Sequence, residues 1–269
     1  MPGCRVMGIL NMTPDSFSDG GQYYGEGGSI TAAYDHAAAM VAQGASYIDV
    51  GGESTRPGAG AVSVEQELDR VIPVIERITA NIECIVSVDS SRPEVMRAAA
   101  AAGAGMLNDV RALQLPGAEQ AALDTGLPVC IMHMQGTPAT MQQQPEYDDV
   151  VGEVRAFLQL RVEQLLAAGF TADRLLVDPG FGFGKTLAHN LQLLRELAAL
   201  APQGIPLLVG MSRKRMLGEL LDKAVDQRVF GGIAAATIAV ANGAAIIRAH
   251  DVEATVDAVT VANAIYRAQ

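Results

Sequence analysis

The chain has 269 residues, 49% of them hydrophobic, and a net charge of −11 from 19 Lys and Arg against 30 Asp and Glu. That length suits one large core, expected as a single domain over 1–269, and the acidic balance argues against a general nucleic-acid binder, which needs a basic footprint. Cys4, Cys84 and Cys130 form no CxxC pair and two fall in apolar runs, so buried free thiols in a reducing, cytoplasmic setting are expected.

In chain order, the first apolar run, Val6–Leu10, ends at Asn11. It starts within about five residues of the first Met, too early to leave room for a signal peptide. Ile30–Gln43 reads as a helix closed by Gly44, and Tyr47–Val50 as a second strand running into Gly51–Arg56. Ser63 followed three residues later by Gln66 has the spacing of a capping box at the next helix start. Cys84–Val88 ends at Asp89, and Pro93 suits the first turn of a helix over Glu94–Ala102. The fourth unit is the weakest, with Met106-Leu107 ending at Asn108-Asp109 and only a brief helix over Pro116–Thr125. Val129–Met132 ends at His133, before the longest helix, Asp148–Ala168. Leu175–Val177 ends at Asp178, followed by a helix over Leu187–Leu200. Pro206–Val209 leads to Ser212-Arg213-Lys214, then to helices over Arg213–Leu221 and Asp226–Ala241. Ala244–Ile247 ends at Arg248 and His250, and Asp251–Arg267 is the last helix. The long uncharged stretch Val229–Ile247 is broken by Gly231, Gly232, Asn242 and Gly243, so it reads as helix then strand rather than a membrane span.

Strand and helix alternate eight times without a long gap, which predicts an α/β fold, the parallel (β/α)8 TIM barrel. In that architecture functional groups stand where strands end, on one rim. Each run here ends in polar residues, so the same pattern locates the candidate site.

The loops at those ends differ in chemistry. The first, Asn11–Gly21, holds Phe17 between Asp15 and Asp19 on a glycine-rich segment and suggests a flap; a passive surface loop is the alternative. In the second, Arg56 between small residues and Pro57 suits a phosphate or carboxylate clamp, against the bland reading of a solvated turn Arg. Asp178–Thr186 imitates a P-loop, but Pro179 stands where the first glycine belongs, and Gly180, Gly182 and Gly184 alternate unlike a dinucleotide fingerprint. It reads as a tight loop bringing backbone and the Phe183 ring to a flat ligand; core packing of Phe181 or Phe183 is equally compatible. Arg213, Lys214 and Arg215 with Arg248 and His250 bring positive charge after strands seven and eight, where barrels often bind phosphate; surface ion pairs are the alternative. Asp89, Asn108 and Asp178 form a set of acceptors and amides suited to a heterocycle with several N–H donors, such as a 2-amino-4-oxo pyrimidine edge. His133 suits a structural or supporting role, and without HExxH or a Cys/His cluster no protein-caged zinc is expected.

Taken in order, Met7–Gly21, Asp49–Gly58, Ser87-Val88-Asp89, Asn108-Asp109, Asp178–Lys185, Gly210–Lys214 and Arg248–Asp251 resemble the signatures of the dihydropteroate synthase family over essentially the whole chain. The resemblance implies a bacterial-type, single-function transferase. It would condense 6-hydroxymethyl-7,8-dihydropterin pyrophosphate with p-aminobenzoate to dihydropteroate and pyrophosphate, on the route to folate. By the same resemblance Asp89, Asn108, Asp178 and Lys214 would hold the pterin, with Val110 and Met132 lining its slot. Arg248 would stack on the pterin and reach the pyrophosphate with His250, Arg56 and Asn11. Mg2+ would bridge Asn11, the pyrophosphate and loop carboxylates. Phe17, Thr55, Pro57 and Phe183 would form the p-aminobenzoate pocket, and Asp19 would steady a cation at the reacting methylene. Asp19, Arg56, Lys214, Arg248 and His250 are thus the implied catalytic set. A homodimer through late helices and the role of a sulfonamide target are implied too. Arg215 departs from the family, which often has Ser there, so its role stays open.

Two other readings compete. A pterin-binding methyltransferase acting with a corrinoid protein would share the barrel and the pterin acids but lack the first two loop signatures and Ser-Arg-Lys. A degenerate, purely binding barrel would not need intact Asn11, Arg56, Asp178, Lys214 and Arg248.

Overall fold

The computed structural model describes residues 3–13, 28–54, 62–136, 141 and 145–267. Eight parallel strands form one sheet: β1 Arg5–Asn11, β2 Tyr47–Gly51, β3 Ile85–Asp89, β4 Met106–Asp109, β5 Val129–Met132, β6 Leu175–Asp178, β7 Leu208–Gly210 and β8 Ile246–Ala249. Their order is β6-β5-β4-β3-β2-β1-β8-β7, and a parallel bridge between Val177 and Leu207 brings the two edges together into a nearly closed barrel. Around it lie α1 Gly28–Ala42, α2 Val64–Asn81, α3 Pro93–Ala101, α4 Ala118–Thr125, α5 Val150–Ala167, α6 Leu187–Arg195, α7 Arg215–Leu221, α8 Val229–Ala241 and α9 Val252–Tyr266.

The predicted signals act where expected. Ser63 Oγ accepts the Gln66 N–H while Gln66 Oε1 accepts the Ser63 N–H, a complete capping box on α2. Pro93 opens α3, and Gly44 takes a positive φ behind α1. Val229–Ile247 divides into α8 and β8, and no described helix is long and apolar enough to cross a membrane.

Several boundaries move. The seventh strand is Leu208–Gly210 rather than 206–209, because Pro206 has no N–H to give a ladder and contributes only its carbonyl, to Val177 N at 3.0 Å. The helix after β6 stops at Arg195, with a separate 3₁₀ turn over Leu197–Ala199. Both helices after β7 start later, at Arg215 and Val229, and α4 starts at Ala118. Cys84 lies just before β3 and is half-buried, whereas Cys4 and Cys130 are buried; all three are free thiols.

Alternation along the strands decides which residues face the site. Val6, Ile48, Val50, Val86, Val88, Leu107, Ile131, Val177, Val209 and Ile247 belong to the main core against the helices. Met7, Met106, Cys130, Leu176, Leu208 and Ile246 form a second cluster inside the barrel, with Tyr47 and Ile85 packed on it. Two residues further along several of these strands, on the same inward face, stand Asp49, Ser87, Asn108, Met132, Asp178 and Arg248. The apolar layer is the floor, and the polar layer above it is the site.

Candidate functional site

Asp49, on β2, is at the centre of that layer. One of its oxygens, Oδ2, accepts Arg248 Nε at 2.6 Å and Asn108 Nδ2 at 3.0 Å. Arg248 Nη2 also donates to Asp89 Oδ2 at 3.0 Å, so one guanidinium on β8 ties two carboxylates from β2 and β3. Asp49 is fully buried, and its Oδ1 makes no hydrogen bond. A buried acceptor left over beside Asn108 and Asp89 is a demand for a donor. The Asp89 carboxyl is raised above the usual carboxylate range by burial and then by the nearby Asp49 charge, which Arg248 offsets in part.

Across the rim, Asp178 ends β6 and its Oδ1 accepts Gly180 N at 2.7 Å. Burial raises its carboxyl, opposed by Lys214. Lys214 Nζ donates to the Phe181 carbonyl and lies 4.7 Å from the centre of the Phe183 ring, a cation–π contact. Burial lowers Lys214 to about 8 against the pull of Asp178. Met132 on β5 is in register with Asp178, and Met132 and Val110 are both buried at this rim. Asn11 ends β1 opposite Gly51, and His250 follows β8 with its ring on Ser212 Oγ.

Asp89, Asn108, Asp178, Lys214 and Arg248 are therefore brought together, with Phe183 beside Lys214. Asn11 and His250 stand on the same end of the barrel. Phe17, Asp19, Thr55, Arg56 and Pro57 lie outside the described residues. Arg213 and Arg215 do not join the cluster. The Arg213 guanidinium makes a two-bond fork with Asp251, at 2.5 and 3.1 Å, and exposed Arg215 pairs with Glu219 at 2.5 Å one turn along α7. For these two, the surface-pair reading is the one observed.

The glycine loop after β6 is tight, as expected, and its glycines have a packing reason. Gly180 has φ +70°, and a Cβ there would stand 1.9 Å from the His133 carbonyl oxygen; Gly184, at φ +63°, would meet the Gln135 carbonyl at 2.5 Å. These glycines let the loop pack closely on the end of β5 and the residues after it. Phe181 is wholly buried in the core, while the half-buried Phe183 ring carries Lys214. Lys185 staples the loop from beneath: its Nζ lies 2.9 Å from His133 Nδ1 and 3.0 Å from the carbonyls of both Gly180 and Phe183. Burial lowers this lysine to about 7. Burial, then the Lys185 charge, lowers His133 to about 3, so its ring stays neutral and serves as an acceptor. His133 is thus the supporting residue expected.

Asp109 is a contrast to its neighbour Asn108. It points outward, accepting from Ser91 Oγ, Arg111 N at 2.8 Å and Leu113 N at 2.7 Å, and so shapes the turn after β4.

Among the described residues no three His, Cys, Asp or Glu side chains form a metal-holding group. Asn11, at the end of β1, carries a side-chain amide oxygen at this rim.

The geometry describes a layer of acids and an amide with two cations above the apolar floor of a barrel, and comparison with known proteins decides what it belongs to. A family model described as pterin binding enzyme matches residues 7–250. Dihydropteroate synthase of Escherichia coli strain K12 is 54% identical over 265 residues, covering 98% of this chain and 93% of that protein. The chain belongs to the dihydropteroate synthase family. The Haemophilus influenzae member is 52% identical over 257 residues, covering 96% of this chain and 92% of that protein. Among solved structures, a Yersinia pestis dihydropteroate synthase in a sulfonamide drug complex superposes with a TM-score of 0.93 at 52% identity, covering 99% of this chain and 95% of the other. A Xanthomonas albilineans dihydropteroate synthase holding 7,8-dihydropteroate does so with a TM-score of 0.89 at 50% identity, covering 99% and 95%.

Asp49, Lys185 and Ser212 lie within the quoted motifs, but the sequence pattern gives none of them a role of its own. Asp49 was detectable: a carboxylate inside the apolar run Tyr47–Gly51, in phase with the inward face. Nothing local marks Lys185 as buried, since its acceptors come from β5 and from the loop's own carbonyls.

Proposed function

We infer that this chain condenses 6-hydroxymethyl-7,8-dihydropterin pyrophosphate with p-aminobenzoate, giving 7,8-dihydropteroate and pyrophosphate. The observation that carries the reading is the set of buried Asn108 and Asp178 and half-buried Asp89, Lys214 and Arg248 at the strand ends, in a chain half identical to dihydropteroate synthases over nearly its whole length. The ligand-bound Xanthomonas enzymes, one with 4-aminobenzoic acid and one with 7,8-dihydropteroate, extend the same chemistry to this rim.

An aminopyrimidinone edge offers N–H donors to acids and an acceptor oxygen to cations. Asp178 and Asp89 would take the N–H groups, Asn108 a mixed pair, and Lys214 the acceptor side, with Val110 and Met132 against the ring faces. Arg248, His250, Asn11 and Arg56 would bind the pyrophosphate, whose charge must be neutralised before it departs. The dihydropterin can carry a cation at the departing methylene, and an aniline nitrogen is already a free base near neutrality. The residues therefore need to position and neutralise rather than abstract a proton, with Asp19 steadying the cation. Phe17, Thr55, Pro57 and Phe183 would enclose the aminobenzoate.

Mg2+ fits this donor set as a pyrophosphate-bound ion. It commonly takes only one or two protein oxygens and fills its remaining positions from phosphate and water, and Asn11 would supply one such oxygen. When bound it would stabilise the charge of the leaving group.

The exposed Phe230 and Ile238 on α8 and Val261 and Ile265 on α9 support a homodimer through these helices. The same chemistry in sulfonamide-bound relatives supports sulfonamide sensitivity, and the buried free thiols support a cytoplasmic setting.

Mixing both substrates with Mg2+ and following pyrophosphate tests the function. Release requiring p-aminobenzoate supports it. Release without the amine, or methyl transfer to a corrinoid protein instead, overturns it.

A further inference from the structure

The seventh and eighth strands pair in parallel with a constant offset, Leu208 to Ile246, Val209 to Ile247 and Gly210 to Arg248. The same offset of 38 continues past the strands through side chains. Ser212 reaches His250, and Arg213 reaches Asp251. Arg213 adopts φ +58°, a left-handed conformation that costs a non-glycine residue energy, and its fork with Asp251 fixes that turn. Arg228 adds a bond to the Arg213 carbonyl at 3.1 Å. Ser212 is thus placed against His250 by a backbone held on both sides.

The two contacts of Ser212 are not equivalent. Its Oγ accepts the His250 backbone N–H at 3.1 Å and lies 3.2 Å from His250 Nδ1. A hydroxyl has one proton to give. With the backbone N–H already donated to the oxygen, the arrangement that uses this proton directs it at Nδ1. A neutral ring then carries its own proton on Nε2, on the far side from Ser212.

We propose that Ser212 is a positioning residue that sets the tautomer of His250, so that Nε2–H is presented to the departing pyrophosphate oxygen. The proposal rests on the function inferred above. The other tautomer would turn a bare lone pair toward an anion, a repulsive contact. Ser212 would thus remove from the reaction the cost of choosing a tautomer.

Long-range proton–nitrogen NMR of the histidine ring, with the His250 signals assigned by their loss in His250→Gln, reads the tautomer directly at a pH where the ring is neutral. The full-length wild-type chain is expected to show Nδ1 bare and Nε2 protonated. In Ser212→Ala the ring should populate both tautomers, and kcat should fall roughly 10- to 100-fold with little change in the Michaelis constant for the pterin substrate. Ser212→Thr, which keeps the hydroxyl, should restore both the signature and the rate. A protonated Nδ1 in the neutral wild-type ring overturns the proposal. So does a folded Ser212→Ala that retains the Nε2–H signature and full kcat. If Ser212→Ala does not fold, the wild-type tautomer and the Thr variant still decide it. The NMR result stands apart from turnover: a wild-type chain that releases no pyrophosphate sinks the functional reading, not the tautomer.

Discussion

Asp49 and Arg248 meet at 2.6 Å over the intervening strand β1, and the same Asp49 oxygen also holds Asn108 at 3.0 Å. One buried carboxylate thereby orients a cation and an amide from β8 and β4. Asp49 need not touch a substrate to matter, because Arg248 and Asn108, two of the residues proposed to hold the pterin pyrophosphate, hang on it.

The first prediction follows. Asp49→Asn keeps the shape, and its amide oxygen can still accept from Arg248 and Asn108, but it removes the charge opposite Arg248 and puts an NH2 where the unpaired Oδ1 stood. Breaking such a pair typically costs about 3–5 kcal/mol when fully buried, and Arg248 keeps some water access, so about 2–4 kcal/mol of pterin binding should be lost. Calorimetric titration with the pterin substrate checks it, beside a melting curve to separate binding from folding. Unchanged affinity in a folded variant would remove Asp49 from the site.

Asp178 gives a second test with a different signature. Its Oδ1 is occupied by Gly180 N–H, so an amide oxygen could keep that bond while the new NH2 faced the pterin N–H groups. Asp178→Asn should therefore fold almost normally yet lose roughly 2–4 kcal/mol of pterin binding through a missing charge-assisted bond and an unpaired donor. Wild-type binding by calorimetry would contradict the assignment of Asp178.

Much of this was legible in the residues because strand periodicity and loop position are local. Ser63–Gln66 and Pro93 announce helix starts through their own backbone chemistry, and Asp89, Asn108 and Asp178 announce themselves by ending apolar runs. What was hidden depends on contacts across the barrel. That Arg213 answers to Asp251 while Lys214 turns inward follows from a positive φ at Arg213, which no composition rule foretells. Gly180, Gly182 and Gly184 were visible as unusual, but the neighbour that requires the small residue, the end of β5, lies far away in sequence.

The third prediction tests that neighbour. At Gly180 a methyl group would stand 1.9 Å from the His133 carbonyl oxygen on a backbone with φ +70°. Left-handed strain alone costs about 1–3 kcal/mol, and the displaced backbone adds to it. Gly180→Ala should lower stability by at least about 2 kcal/mol in urea unfolding and weaken pterin binding, since Asp178 holds the Gly180 N–H. A variant as stable as wild type would mean the loop is not packed on β5.

The fourth prediction concerns Lys185 and has a sign that can be checked. Its ammonium has three protons and, within hydrogen-bond distance, four acceptors: His133 Nδ1, Gly180 O and Phe183 O near 3.0 Å and His133 O at 3.4 Å. Lys185→Met should orphan these acceptors and cost roughly 1–3 kcal/mol at neutral pH. Burial lowers the folded-state value to about 7 from the ordinary 10.5. Between those limits the unfolded chain binds a proton at this side chain and the native chain does not. Stability contributed by this group must then rise with pH through that window and level off on either side. Other groups titrate in the same range with the opposite sign, for burial raises both Cys4 and Tyr147. The difference between wild type and Lys185→Met cancels them and isolates the lysine. Urea unfolding of both proteins at about pH 7 and about pH 9.5 should show the gap in stability widening at the higher pH. A gap that stays constant or narrows would show that Lys185 keeps its proton throughout, held as a buried ammonium by the ring and carbonyl acceptors around it.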